Sequence, residues 1–226
     1  MEAGRLGTIC RLFALHGGRR RLRATFWLLE APDSLAAQSR RNPDGYGLGV
    51  FADDGSPDVD QRPAAAYEDE RFAREAREEE SSTFAAHVRY ASTGRVSLEN
   101  THPFEQRGRL FAHNGAILDL EKLDGHLGDY RDLVAGETDS AGTIRIRSAG
   151  LAERAAVIFA SEQMDEDRGR RSLEPGELVR VDTDLNVSTR VIDRAPAHQL
   201  RLEDLDPRAA ASQRSPTQRR EAHATP

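Results

Sequence analysis

The sequence predicts an α+β domain built on antiparallel sheets. Apolar, β-prone runs are short and recur along the chain, among them CRLFALH at 10–16, TFAAHVRYAS at 83–92 and AAVIFASEQ at 155–163. Many of their connections are local and rich in turn residues, which suits antiparallel neighbours. Helical patterns are few and do not alternate with the strands as a parallel βαβ sheet requires.

Taken in order, 10–16 and 25–30 (TFWLLE) read as strands separated by the exposed connection GGRRRLR. A short helix is predicted from Ala31, in APDSLAAQSRR, with Asp33 or Ser34 as its N-cap. NPDGYGLGVF, 42–51, opens with turn chemistry and runs into a strand. Gly47 and Gly49 inside that strand imply close backbone approach to another segment. DDGSPDVDQRP reads as a polar loop, and 64–80 as the clearest helix, with Ala65, Tyr67, Phe72, Ala73 and Ala76 on its apolar stripe. Strands follow at 83–92 and 109–118, joined by TGRVSLENTHPFEQRG. A short helix is expected at 119–129 and strands at 143–147, in AAVIFASEQ, in GELVRVDTD and in NVSTRVID. From Pro207 the chain is polar and aperiodic, which predicts disorder.

The 226 residues suit one domain or two small ones, and the net charge of -6 offers no basic footprint for nucleic acid. A single cysteine excludes an internal disulfide and fits a reducing compartment, so the cytoplasm is the expected location. No apolar run approaches the ~20 residues of a membrane helix.

Four clusters carry residue types suited to chemistry. Cys10 is either a small buried hydrophobe or a nucleophile. Arg89, inside an apolar strand, needs an anionic partner: an Asp or Glu of the chain, or a substrate carboxylate gripped by its fork. His113-Asn114-Gly115 interrupts another apolar run. It reads equally as a hairpin turn or as an oxyanion hole made by the Asn114 amide and the Gly115 N–H. Asp139, in GETDS, is a turn residue or the neutraliser of an ammonium group. His87, His102 and His113 invite a metal, but their spacing is not that of a closed zinc site, and no metal or cofactor is expected. A Cys–His hydrolase using Cys10 is a further alternative.

In this order the segments CRLFALHG, NPDGYGLGVF, HVRYASTG, NTHPF, FAHNGAI and GETDS resemble the motifs of class II glutamine amidotransferases, in the N-terminal-nucleophile hydrolase group. The chain is most similar to the stand-alone amidotransferase-like subgroup. The resemblance implies a four-layer αββα sandwich with antiparallel sheets, lacking some core elements after Ser140, where Ala141-Gly142 leads directly into the next strand. It implies a transferase or hydrolase acting on glutamine or a γ-glutamyl small molecule, with a synthase or other ammonia acceptor as partner. Cys10 would be the nucleophile, Asn114 and Gly115 the oxyanion hole, Arg89 the holder of the α-carboxylate and Asp139 of the α-ammonium. Ser92 and Thr93 match positions near the substrate, and His102 a structural position beside the site.

The implied organisation is an extension or propeptide-like segment at 1–9, the amidotransferase domain at 10–207 and a disordered tail at 208–226. In the family the nucleophilic cysteine begins the mature chain, and its own α-amine serves as base. Here Ile9 precedes Cys10, so that nitrogen is an amide. Removal of 1–9 would free the amine; a catalytically inactive relative, or a glutamine-binding protein, is the alternative expectation.

Overall fold

The computed structural model describes residues 10–91, 94–114, 155–165, 171–174 and 176–192. Its strands in chain order are β1 (Arg11–His16), β2 (Tyr46–Phe51), β3 (Pro57–Arg62), β4 (Thr83–Val88), β5 (Phe104–Gln106), β6 (Arg109–Phe111), β7 (Val157–Ala160), β8 (Glu177–Val181) and β9 (Val187–Val191). Two helices, α1 (Leu35–Ser39) and α2 (Glu70–Glu78), lie among them.

Register decides which side chains reach the core. The strand order β3-β2-β4-β1-β7 is antiparallel at every pairing. One row across the sheet reads Leu48, Ala86, Phe13, Ala160, and the next reads Val50, Phe84, Leu15, Ile158. All eight are buried in one cluster with Trp27, Leu28, Leu35, Phe72 and Ala76. Helical segments therefore close this face. The opposite face carries Leu12, Ala14, Gly47, Gly49, Ala85 and His87, the alternate residues of the same strands.

Several local expectations change. TFWLLE is a wide helical turn, Phe26–Glu30, in which the Ala31 N–H donates to the Phe26 carbonyl at 2.7 Å. A six-residue apolar run carries too few positions to separate the two periodicities, and the turn lets the adjacent Trp27 and Leu28 both enter the core. The cap of α1 is Ser34, whose hydroxyl accepts from the Ala37 N–H at 3.2 Å. The expected polar loop contains β3. Among the described residues it pairs along one side only, so polar side chains suffice for it, and Pro57 stands at its first position. The predicted helix at 64–80 splits into a 3-10 turn, Ala66–Glu68, and α2, which starts at its Asp69 cap. The strand predicted at 83–92 ends at Val88, and the connection that follows holds β5, hairpinned to β6.

Close backbone approach at Gly47 and Gly49 is present. A Cβ on Gly47 would lie 2.2 Å from the His102 carbonyl oxygen, and one on Gly49 would lie 2.9 Å from Pro103 Cγ. The segment 101–103 thus crosses the sheet directly over β2. Gln61 of β3 fastens it by donating to the Thr101 and Pro103 carbonyls. The β8–β9 hairpin stands beside the turn after β1, where Arg19 Nε donates to Asp184 Oδ1 at 3.0 Å.

The elements expected at 119–129 and 143–147, the core elements expected to be missing after Ser140, and the tail lie outside the described residues. No helix among the described residues is long and apolar enough to cross a membrane.

Candidate active site

The site forms where β1 begins and β4 ends. Arg11 pairs with Val88, so the residue before β1 meets the residues after β4. Cys10 is 9% exposed there. Its thiol donates to the Tyr90 carbonyl at 3.5 Å, and the Tyr90 N–H donates back to Sγ at 3.4 Å. Burial pushes the Cys10 thiol above its ordinary range. The Tyr90 backbone and the guanidinium groups of Arg89 and Arg11 pull the other way, and the Asp44 carboxylate adds to the rise.

The turn before β2 is stitched to the same stretch. The Asp44 N–H donates to the Arg89 carbonyl at 3.0 Å, and Asp44 Oδ2 accepts from the Ala91 N–H at 2.9 Å. Arg89 is buried on the side of the sheet that holds His87 and His102, and its charge helps keep both rings neutral. Its Nη1 donates to the Arg95 carbonyl at 2.8 Å. Gly94, at φ +72°, leaves room beside the fork: a Cβ there would stand 3.4 Å from Arg89 Nη2.

Asn114 is fully buried, and neither atom of its amide makes a hydrogen bond among the described residues. A buried amide in this condition is costly unless a ligand or solvent completes it. Asn114 acts on His87 as a neighbour that favours the charged ring, though the two miss regular hydrogen-bond geometry. Three imidazoles stack edge to face, with His87 beside Asn114. His87 and His102 centroids lie 4.5 Å apart, and His102 and His113 lie 4.4 Å apart. Burial, then the neighbouring rings and Arg89, hold His87 far below its ordinary value. Burial, His113 and Arg89 hold His102 at about 3. Neutral His87 and His102 rings pack without mutual repulsion. No group of three or more His, Cys, Asp or Glu among the described residues is arranged to hold a metal.

The histidines make stability fall on the acid side. His102 titrates at about 3 when folded and at roughly 6.5 when unfolded, so its contribution is complete above pH ~6.5 and is lost as pH drops toward 3. At pH 5 this one ring accounts for about 2 kcal/mol. Urea midpoints measured at pH 7.5 and 5 are expected to converge in His102→Gln relative to the parent; an unchanged difference would show that His102 is charged in the folded chain.

The structure thus places Arg89 within electrostatic reach of Cys10 and of His102, and sets Asn114 beside His87. Gly115, Asp139, Ser92 and Thr93 lie outside the described residues. Tyr90, Asp44 and Arg11 were missed from sequence. Tyr90 acts through its backbone, which no side-chain pattern reports. Asp44 was absorbed into a turn. Arg11 had one signal, a charge at the head of an apolar strand.

Known proteins resemble both the fold and the sequence. A glutamine aminotransferase class-II domain protein from Silicibacter pomeroyi superposes with a TM-score of 0.54 at 15% identity, covering 83% of this chain and 100% of that one. The fold is therefore that of the N-terminal-nucleophile type found in class II amidotransferases. Residues 25–145, just over half of the chain, match the family model described as glutamine amidotransferases class-II, and the chain belongs to that family. An uncharacterized protein of Methanocaldococcus jannaschii is 38% identical over 117 residues, 48% of this chain and 30% of that protein. The probable glutamine amidotransferase DUG3 of Saccharomyces cerevisiae is 29% identical over 154 residues, 58% of this chain and 43% of that one. The chain thus spans less than half the length of these two curated relatives. The family match includes Arg89 and Asn114 but begins after Cys10, whose place in the site rests on geometry.

Proposed function

We propose that this chain hydrolyses the side-chain amide of glutamine, or of a related γ-glutamyl compound, through a thioester on Cys10. The contact of the Cys10 thiol with the Tyr90 backbone, beside the buried Arg89 guanidinium, carries this reading. The thiolate attacks the amide carbon, and the carbonyl oxygen becomes an oxyanion held by the Asn114 amide and the Gly115 N–H. The C–N bond then breaks and the nitrogen leaves as ammonia, carrying the proton taken from the thiol. Water adds to the thioester, releases glutamate and restores the thiol.

Arg89 would bind the substrate α-carboxylate and Asp139 its α-ammonium, with Ser92 and Thr93 alongside. The base would be the α-amine of Cys10 after removal of 1–9. With a pKa of roughly 7.7–8.0 it nearly matches a free thiol at about 8.5. On this reading the domain spans 10–207 as an αββα sandwich with 208–226 as its tail, acts in the cytoplasm, and hands ammonia to water or to a synthase partner.

The test is N-terminal mass analysis combined with ammonia and glutamate release. A chain beginning at Cys10 that releases the two products one to one is the expected result. Turnover by a chain that still carries Ile9 would overturn the α-amine base. A chain beginning at Cys10 that binds glutamine without turnover would overturn the hydrolase reading. That outcome would establish a second reading, a glutamine-binding protein, which the Ile9–Cys10 amide and the raised thiol favour.

A further inference from the structure

Arg11 is 3% exposed, although a guanidinium is among the groups least suited to burial. On β1 it shares the helix-covered face with Phe13 and Leu15. Its Nη1 donates to the carbonyl oxygen of Cys10 at 3.0 Å, and its Nη2 stands 3.5 Å from Glu162 Oε1. Glu162 follows β7, and its neighbour Ser161 grips the same stretch of β1. The Leu12 N–H donates to Ser161 Oγ at 2.9 Å, and the Ser161 N–H donates to the Leu12 carbonyl at 3.0 Å. Leu12 is thus tied directly to Ser161, 149 positions away in sequence, Arg11 to Glu162, and Cys10 to that turn only through Arg11.

We infer that Arg11, braced by Glu162, is the positioning residue of the nucleophile: its fork holds the Cys10 carbonyl and fixes the thiol beside Tyr90 and Arg89. This rests on the reading of Cys10 as the attacking group. A residue at a chain terminus loses the restraint of a preceding peptide and frays. Once Ile9 is cut away, the Arg11 fork and the Ser161 contacts keep the first residue in register with β4. A planar two-armed cation suits the task, because one group reaches a carbonyl and a carboxylate together. Its charge acts in the same sense as Arg89 on the thiolate and against Asp44.

The chain has one cysteine, so alkylation by iodoacetamide reports on Cys10 alone. The rate is followed against pH in the parent, Arg11→Gln and Arg11→Lys, beside kcat and KM for glutamine. Arg11→Gln removes the charge and one arm. Its alkylation midpoint is expected to rise by about half a pH unit or more, and kcat to fall about tenfold with KM held within twofold. Arg11→Lys keeps the charge but cannot span both partners, so the midpoint stays and kcat still falls.

A folded Arg11→Gln with the parental midpoint and kcat overturns the inference. If Arg11→Gln does not fold, a parental kcat in Arg11→Lys overturns it. If the parent turns over no glutamine while the Arg11→Gln midpoint shifts, the hydrolase reading fails and the positioning role stands.

Discussion

Replacing Cys10 by alanine is expected to lower ammonia release from glutamine by about 10³-fold or more, with the fold retained. Alanine keeps the Cβ and removes only the sulfur, which meets Tyr90 and on the proposed mechanism forms the thioester. Sulfur hydrogen bonds are weak, so the loss in stability is about 1 kcal/mol, mostly buried volume. Cys10→Ser separates the two roles further. Its hydroxyl can still donate to the Tyr90 carbonyl and accept from the Tyr90 N–H, so the urea midpoint is expected to match the parent. Activity is expected to fall almost as far as in the alanine variant, because a hydroxyl ionises far less readily than a thiol. Ammonia release from Cys10→Ala near the parental rate would remove Cys10 from the chemistry altogether.

Gly47→Ala is expected to destabilise the chain by about 3 kcal/mol, near the upper end for overpacking. The new Cβ would lie 2.2 Å from the His102 carbonyl oxygen and 2.9 Å from Pro103 Cδ. The first obstacle is backbone, which no rotamer change relieves. Either β2 bends away from β4 or the segment 101–103 lifts off the sheet. The second response would disturb His102 and the rings stacked on it, so activity is expected to fall with stability. Gly55→Ala is the comparison. Nothing lies within 4 Å of a Cβ at Gly55, and only its φ of +82° opposes a side chain. A loss of about 1 kcal/mol is expected there, with activity unchanged. Equal urea midpoints for the two variants would mean that the crossing segment does not lie against β2 in solution.

The features read best from sequence are those whose cause is local. β1 announced itself by a run of apolar residues behind Cys10, and the turn at 42–45 by Asn-Pro-Asp-Gly. The two glycines of β2 announced a close approach, because a strand gains nothing from glycine unless another backbone needs the space. What touched them, the 101–103 segment, could not be read, since proximity across more than fifty residues leaves no local pattern. Phe26–Glu30 and β3 were misread for related reasons. A short apolar run does not reveal its own period, and an edge strand with polar side chains looks like a loop until its partner is known.

The same division holds at the site. Sequence alone determined the reactive groups, because a thiol, a guanidinium and a side-chain amide each have a chemistry fixed by covalent structure. Their order along the chain also resembled a family, and the match to residues 25–145 places the chain in it. Only the tertiary structure decided what those groups face. It put the Cys10 thiol on the Tyr90 backbone, set Arg11 between Cys10 and Glu162, and buried His87 and His102 so that they stay neutral. Strand register and desolvation did this, and both are properties of the packed sheet, not of any segment within it.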